Sequence, residues 1–210
     1  MPWNFYNGAG AAKTTSSVTF VTSLPTTPFD GQEIYYQSTT AGTGGGASDT
    51  MATTGAVWHL RYRAAGGTYK WEMVGGSALD VTSTTSPTNI TATTPTSLST
   101  NPILTLPTAG TYRLEVFANG AAVTVASKNA FLSIDFSGGM IETAVASGGA
   151  VLYSTATTSV STLHATYLKT ITGASTVLTM KAWVDSGATF YPSNSTTYPY
   201  GIRATPIRVG

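Results

Sequence analysis

Apolar and polar residues alternate with a period of two along much of this chain, and no stretch carries the 3.6-residue period of a helix face. In "GTYRLEVFANG" (110–120), Tyr112, Leu114 and Val116 fall on one side and Arg113 and Glu115 on the other. Leu132, Ile134 and Phe136 alternate with Ser133 and Asp135. Leu178, Met180, Ala182 and Val184 alternate with Thr179, Lys181 and Trp183. Segments 140–146, 150–156, 160–170 and 200–209 read the same way. About eight short strands, broken by Gly, Asn and Pro, predict an all-β protein whose C-terminal part is an antiparallel jelly-roll sandwich.

The N-terminal part predicts a second, smaller sheet. Trp58, Leu60 and Tyr62 share one face of a strand over 57–63, and Tyr69, Trp71 and Met73 share one face over 68–74. The intervening "AAGG" suits a tight turn. His59, Arg61 and Arg63 occupy the opposite face beside Lys70 and Glu72, an ionic patch across the hairpin. A third strand is expected within 28–37, carrying Ile34, Tyr35 and Tyr36. The apolar face of such a sheet needs a cover. Either it packs on the C-terminal domain, or identical sheets from neighbouring chains cover one another about a symmetry axis. The second alternative makes Trp58, Leu60, Tyr62, Tyr69 and Trp71 an oligomer interface.

Between these parts lies "VTSTTSPTNITATTPTSLSTN" (81–101), whose Ser, Thr and Pro read as a linker with a possible short strand near Ile90. The expected organisation is an N-terminal β module over 1–80, a linker over 81–101 and a jelly roll over 102–210. Composition agrees with the class. Thr supplies roughly one residue in five, and β-branched side chains fit a pleated surface. Charged residues make up only 9% of the chain and the formal net charge is +1. No basic patch is therefore available for nucleic acid or an anionic membrane surface. The chain has no cysteine, which excludes disulfides and thiolate zinc sites. "MPWNFYNGAG" lacks the features of a secretory leader and no apolar run approaches a membrane span, so a soluble protein outside the secretory pathway is expected.

Catalytic signatures are missing from the sequence. His59 and His164 stand far apart with no metal-ligand spacing. No G-x-S-x-G elbow occurs. Asp135, Glu142 and Asp185 could pair as glycosidase carboxylates, but each sits in or beside an alternating strand where a solvated face explains it equally. The expectation is a non-enzyme that needs no cofactor or metal. One segment invites a ligand: "SGATFYPSNSTTYPYG" (186–201) gathers aromatic rings near Asn and Ser, with Trp183 on the polar face of the preceding strand. Trp183, Tyr191, Asn194, Tyr198 and Tyr200 are thus candidate glycan-binding residues, and the same rings would equally serve an interface between chains.

The run "LPTTPFDGQEIYY…GAVWHLRYRAAGGTYKWEMVGGSAL" (24–79) resembles a module of bacteriophage virion proteins, and "WNFYNGAG" resembles their start. "LPTAGTYRLEVFANG", "TITGASTVLTMKAWV" and "YGIRATPIRV" are similar to the tumour-necrosis-factor/complement-globular-head jelly roll. The two resemblances together imply a homotrimeric, non-catalytic structural protein of a virion surface: a head fibre, decoration or minor tail component. Its implied partners are copies of itself and other capsid or tail proteins. The alternative is a receptor-binding protein that holds a host-surface glycan on its jelly roll.

Overall fold

The computed structural model describes residues 19–39, 50–51, 56–85, 87–99, 102–136, 139–140, 150–153, 161–193 and 199–210. Every regular element among them is a β-strand. In chain order they are β1 (Thr19–Val21), β2 (Glu33–Gln37), β3 (Thr50–Met51), β4 (Val57–Tyr62), β5 (Trp71–Gly76) and β6 (Leu79–Ser83). Then come β7 (Thr96–Ser97), β8 (Ile103–Leu106), β9 (Gly110–Val123), β10 (Asn129–Phe136) and β11 (Gly139–Met140). The last are β12 (Ala150–Tyr153), β13 (Ser161–Ile171), β14 (Thr176–Val184), β15 (Phe190–Tyr191) and β16 (Tyr200–Val209). The fold is all-β, as the alternation predicts.

The strands form two sheets of ten and six strands. β16 organises the first. One of its edges carries β9 along its whole length, and β13 lies beyond β9. The other edge carries β6 and then β5, from which the sheet continues through β4 and β2 to β1. All these pairings are antiparallel except that of β1 with β2. In the second sheet β14 lies between β10 on one side and β7 and β8 on the other, and β10 also pairs with β11 and β12.

The core lies between the sheets, where the predicted alternation decides who enters it. Tyr112, Leu114, Val116 and Ala118 of β9 and Ile202 and Ala204 of β16 are buried with Leu132 and Ile134 of β10 and Leu178, Met180 and Ala182 of β14. Burying each larger aliphatic side chain contributes about 1.5–3 kcal/mol.

The hairpin belongs to the same core. Trp58 is fully buried, stacks on Tyr36 with ring centroids 5.3 Å apart and meets the edge of Tyr112 at 6.4 Å. Its apolar face is thus covered from within the chain, the first of the two arrangements weighed above. The expectation that Trp58, Leu60 and Trp71 cover a neighbouring chain is corrected: they are 0%, 0% and 3% exposed in one chain and leave no surface to offer. The hairpin turn is also longer than expected. Arg63 N–H donates to Lys70 O at 2.8 Å, so β5 begins at Trp71 and Tyr69 lies outside it.

The described residues of 81–101 are threaded through the sandwich. Leu79 and Val81 are buried in β6, Ile90 bridges to Phe190, and Thr96–Ser97 pairs with β14. Leu98 is buried as well. Glu72 and Leu79 face Arg208 and Ala204 on one edge of β16, so residues 73–78 make an excursion against 205–207. The excursion sits on Trp58, whose Nε1–H donates to Ser77 O at 3.1 Å. Gly76 makes this possible with φ +117°; a Cβ there would collide with the Val57 carbonyl oxygen.

Candidate functional site

The outer face of the first sheet collects nearly half of the chain's charged residues, in two rows set by register. Glu33 lies opposite Arg61, Arg61 opposite Glu72, and Glu72 opposite Arg208, one residue from each of β2, β4, β5 and β16. Within this row Glu33 binds Arg61 and the His59 ring, each at 2.9 Å. Glu72 binds Arg63 at 3.1 Å and approaches Arg208 at 3.9 Å. The second row places Asp80 opposite Arg203 and Arg203 opposite Glu115. Arg203 meets Asp80 at 2.9 Å and Glu115 at 3.7 Å, while Arg113 lies 3.2 Å and His164 3.9 Å from Glu115.

These partners set the charge states. Hydrogen bonds from Arg61 first and His59 second hold the Glu33 carboxyl below its ordinary value. The bond to Asp80 pushes the Arg203 guanidinium up. Asp80 Oδ1 is buried with no hydrogen-bond partner among the described residues. Solvent screening keeps the stabilisation from such partly exposed pairs small. Beside the first row runs an aromatic one: Phe20 stacks on Tyr35 at 5.1 Å, and Tyr35 lies against His59 at 4.9 Å.

Among the described residues, the members of the ligand set expected in and around 186–201 do not come together. Trp183 is 7% exposed and stacks face to face on Phe131 at 5.0 Å, on the outer side of the second sheet. Tyr200 points into the core, is 0% exposed and donates its hydroxyl to Thr85 O at 2.8 Å, so it is corrected from ligand residue to core residue. Tyr191 is half-buried in β15 against Ala122. Asn194 and Tyr198 lie outside the described residues. Of the hairpin aromatics expected at an interface, Tyr62 is half-buried with its ring edge-on to Trp71 at 5.3 Å. Tyr69 is half-buried and donates to Ile171 O at 3.0 Å.

The carboxylates weighed for hydrolysis are held by structural bonds. Asp135 pairs with Lys181 at 3.5 Å, and Asp185 accepts both the main-chain and side-chain N–H of Asn129 at 2.8 Å. Glu142 lies outside the described residues. Among the described residues no three His, Asp or Glu side chains are grouped to hold a metal ion.

Sequence reasoning placed His59, Arg61, Arg63, Lys70 and Glu72 in an ionic patch; Lys70 instead precedes β5 and joins none of these pairs, and Glu33, Asp80, Glu115, Arg203 and Arg208 were missed as the patch's continuation. Strand parity could have found them, since each alternates with a buried neighbour such as Ile34, Val81, Leu114, Ala204 or Val209. No protein-family model matches this chain, and no curated protein matches it in sequence.

Proposed function

We propose that this chain is a non-catalytic structural protein of a bacteriophage virion surface, built on a jelly roll and assembling as a homotrimer. The strand-pairing order carries the first element. Of the eight principal sandwich strands, the first pairs with the last (β6 with β16), the second with the seventh (β8 with β14), the third with the sixth (β9 with β13) and the fourth with the fifth (β10 with β12). That nested order is what a long two-stranded hairpin acquires when rolled into a sandwich, the arrangement of jelly rolls in capsid and lectin domains.

The virion element rests on the resemblance of 24–79, whose residues have structural roles in this chain. Asp30 of the P-x-D-G-Q-E entry accepts the Ala64 N–H at 2.8 Å, and Glu33 of the same entry clamps His59 and Arg61. The motif therefore builds the hairpin's junctions. One surface open to further copies is the outer side of β13 and β16, where Leu168 is 69% and Ile207 41% exposed. Capsid or tail proteins are the other expected partners.

Two measurements test this. Light scattering at micromolar concentration is expected to return three times the chain mass; a monomer mass overturns the trimer. Antibody labelling of purified particles is expected to decorate their surface; absence of the chain from particles overturns the virion role.

A further inference from the structure

We propose that the cleft beside the hairpin turn is a saccharide site that takes a neutral, hydroxyl-rich ring. The site is a property of the single chain and does not depend on the trimer or the virion role. Its volume is about 400 Å³ and its walls are Asp30, Arg63, Ala65, Gly66, Glu72 and Arg208. That size lies within the range of small-molecule sites.

Charge selects the ligand class. The walls hold two guanidinium groups and two carboxylates, which cancel. An anion drawn to the arginines is repelled by Asp30 and Glu72, and a cation meets the converse. A sugar ring carries hydroxyls that can both donate and accept, so it can use both kinds of wall without bringing a charge. Planar guanidinium and carboxylate groups also match neighbouring hydroxyls two at a time.

The hydrogen-bonding capacity is in place and only partly used. Arg63 spends its Nε–H on Glu72 at 3.1 Å, and among the described residues nothing engages its two terminal nitrogens. Arg208 comes no closer than 3.9 Å to Glu72, beyond hydrogen-bond length, and its side chain is 40% exposed. Asp30 uses Oδ1 for the Ala64 N–H, with no bond from a described residue to Oδ2.

The cleft is also pre-formed. Glu72 and Arg208 stand on paired strands, and Arg208 Nη1 lies over Gly66, where a Cβ would come within 2.9 Å of it. Gly66 thus lies beneath the Arg208 guanidinium at the base of the cleft.

The test is saturation-transfer NMR and calorimetry on the full chain with glucose, galactose, rhamnose and N-acetylglucosamine, and with sialic acid and inorganic phosphate as anionic probes. At least one neutral sugar is expected to bind with a millimolar Kd. Arg63→Gln and Asp30→Asn should each weaken it by about tenfold or more, with the thermal midpoint within a few degrees of the parent. Asn keeps the acceptor that the Ala64 N–H needs, so that variant tests the site without removing the turn. Tyr191→Ala, in β15, should leave binding unchanged. The proposal is overturned if no neutral sugar binds, if only the anionic probes bind, or if binding survives both cleft variants. None of these outcomes touches the trimer mass or the particle labelling.

Discussion

Truncating Trp58 to Ala should destabilise the whole chain, because the indole joins the hairpin to the sandwich. A buried indole removes about 200 Å² from water, worth about 5 kcal/mol at about 25 cal/mol per Å². Ala retains part of that burial and the cavity closes only in part, which brings the expected loss to about 3–5 kcal/mol. The Ser77 carbonyl also loses the Nε1–H donor at 3.1 Å, adding about 1 kcal/mol. Trp58→Phe keeps a ring to stack on Tyr36 and should cost only about 1–2 kcal/mol. The assay is urea denaturation followed by circular dichroism, at a protein concentration low enough to hold the chain monomeric. One cooperative transition shifted to lower urea is expected. A loss under about 0.5 kcal/mol would refute burial within the chain. A hairpin that melted separately, with the sandwich transition unmoved, would refute the shared core.

Gly76→Ala should cost about 2 kcal/mol or more, since the position combines φ +117° with a collision against the Val57 carbonyl; a neutral outcome in the same urea assay would contradict the excursion geometry. Tyr112→Phe removes the hydroxyl that donates to Thr108 O at 2.9 Å and should cost about 1–2 kcal/mol, read as a lower urea midpoint with an unchanged slope. Glu33 has a folded-state carboxyl held below the ordinary value of 4.5, so its contribution is present above that pH and is lost as pH falls through the folded value. The stability difference between parent and Glu33→Gln should therefore shrink on acidification, and a difference constant from neutral to strongly acid pH would contradict the pairing with Arg61 and His59.

Strand parity made much of the sandwich legible. The alternation in β9, β10 and β14 found most of the core-facing set, while Ser133 and Trp183 on the opposite face are buried as well and Phe136 is only partly so. Composition hid what parity would have shown between the two halves. "LDVTS" alternates as cleanly as any strand, yet its last three residues open the Ser/Thr/Pro tract, so a linker expected from residue 81 cuts the strand in two. The cover of the hairpin was illegible for another reason. Trp58 meets Tyr112 and β5 meets β16 across large separations in sequence, and periodicity says which face is apolar without saying what lies over it.

Site residues were harder to read because proximity in sequence is a poor guide to proximity across a sheet. Tyr200 was grouped with Tyr191 and Tyr198, although its parity with Ile202 and Ala204 places it in the core. The ionic rows show the converse, gathering residues from five or more segments onto one face. Their energetic worth is small, but they address an ambiguity that the Thr-rich surface leaves open. A one-residue slip is barred already, since it would turn the apolar set outward. A two-residue slip keeps every face and changes only which side chains stand opposite. Between β16 and β9 such a slip would set Arg203 against Arg113 in one direction and against Phe117 in the other, losing Glu115 either way. Thr111 beside Thr170 can make no comparable distinction. In a chain with so few charges, concentrating them on the outer face of the β16 sheet places register information where the strands on both edges of β16 must align.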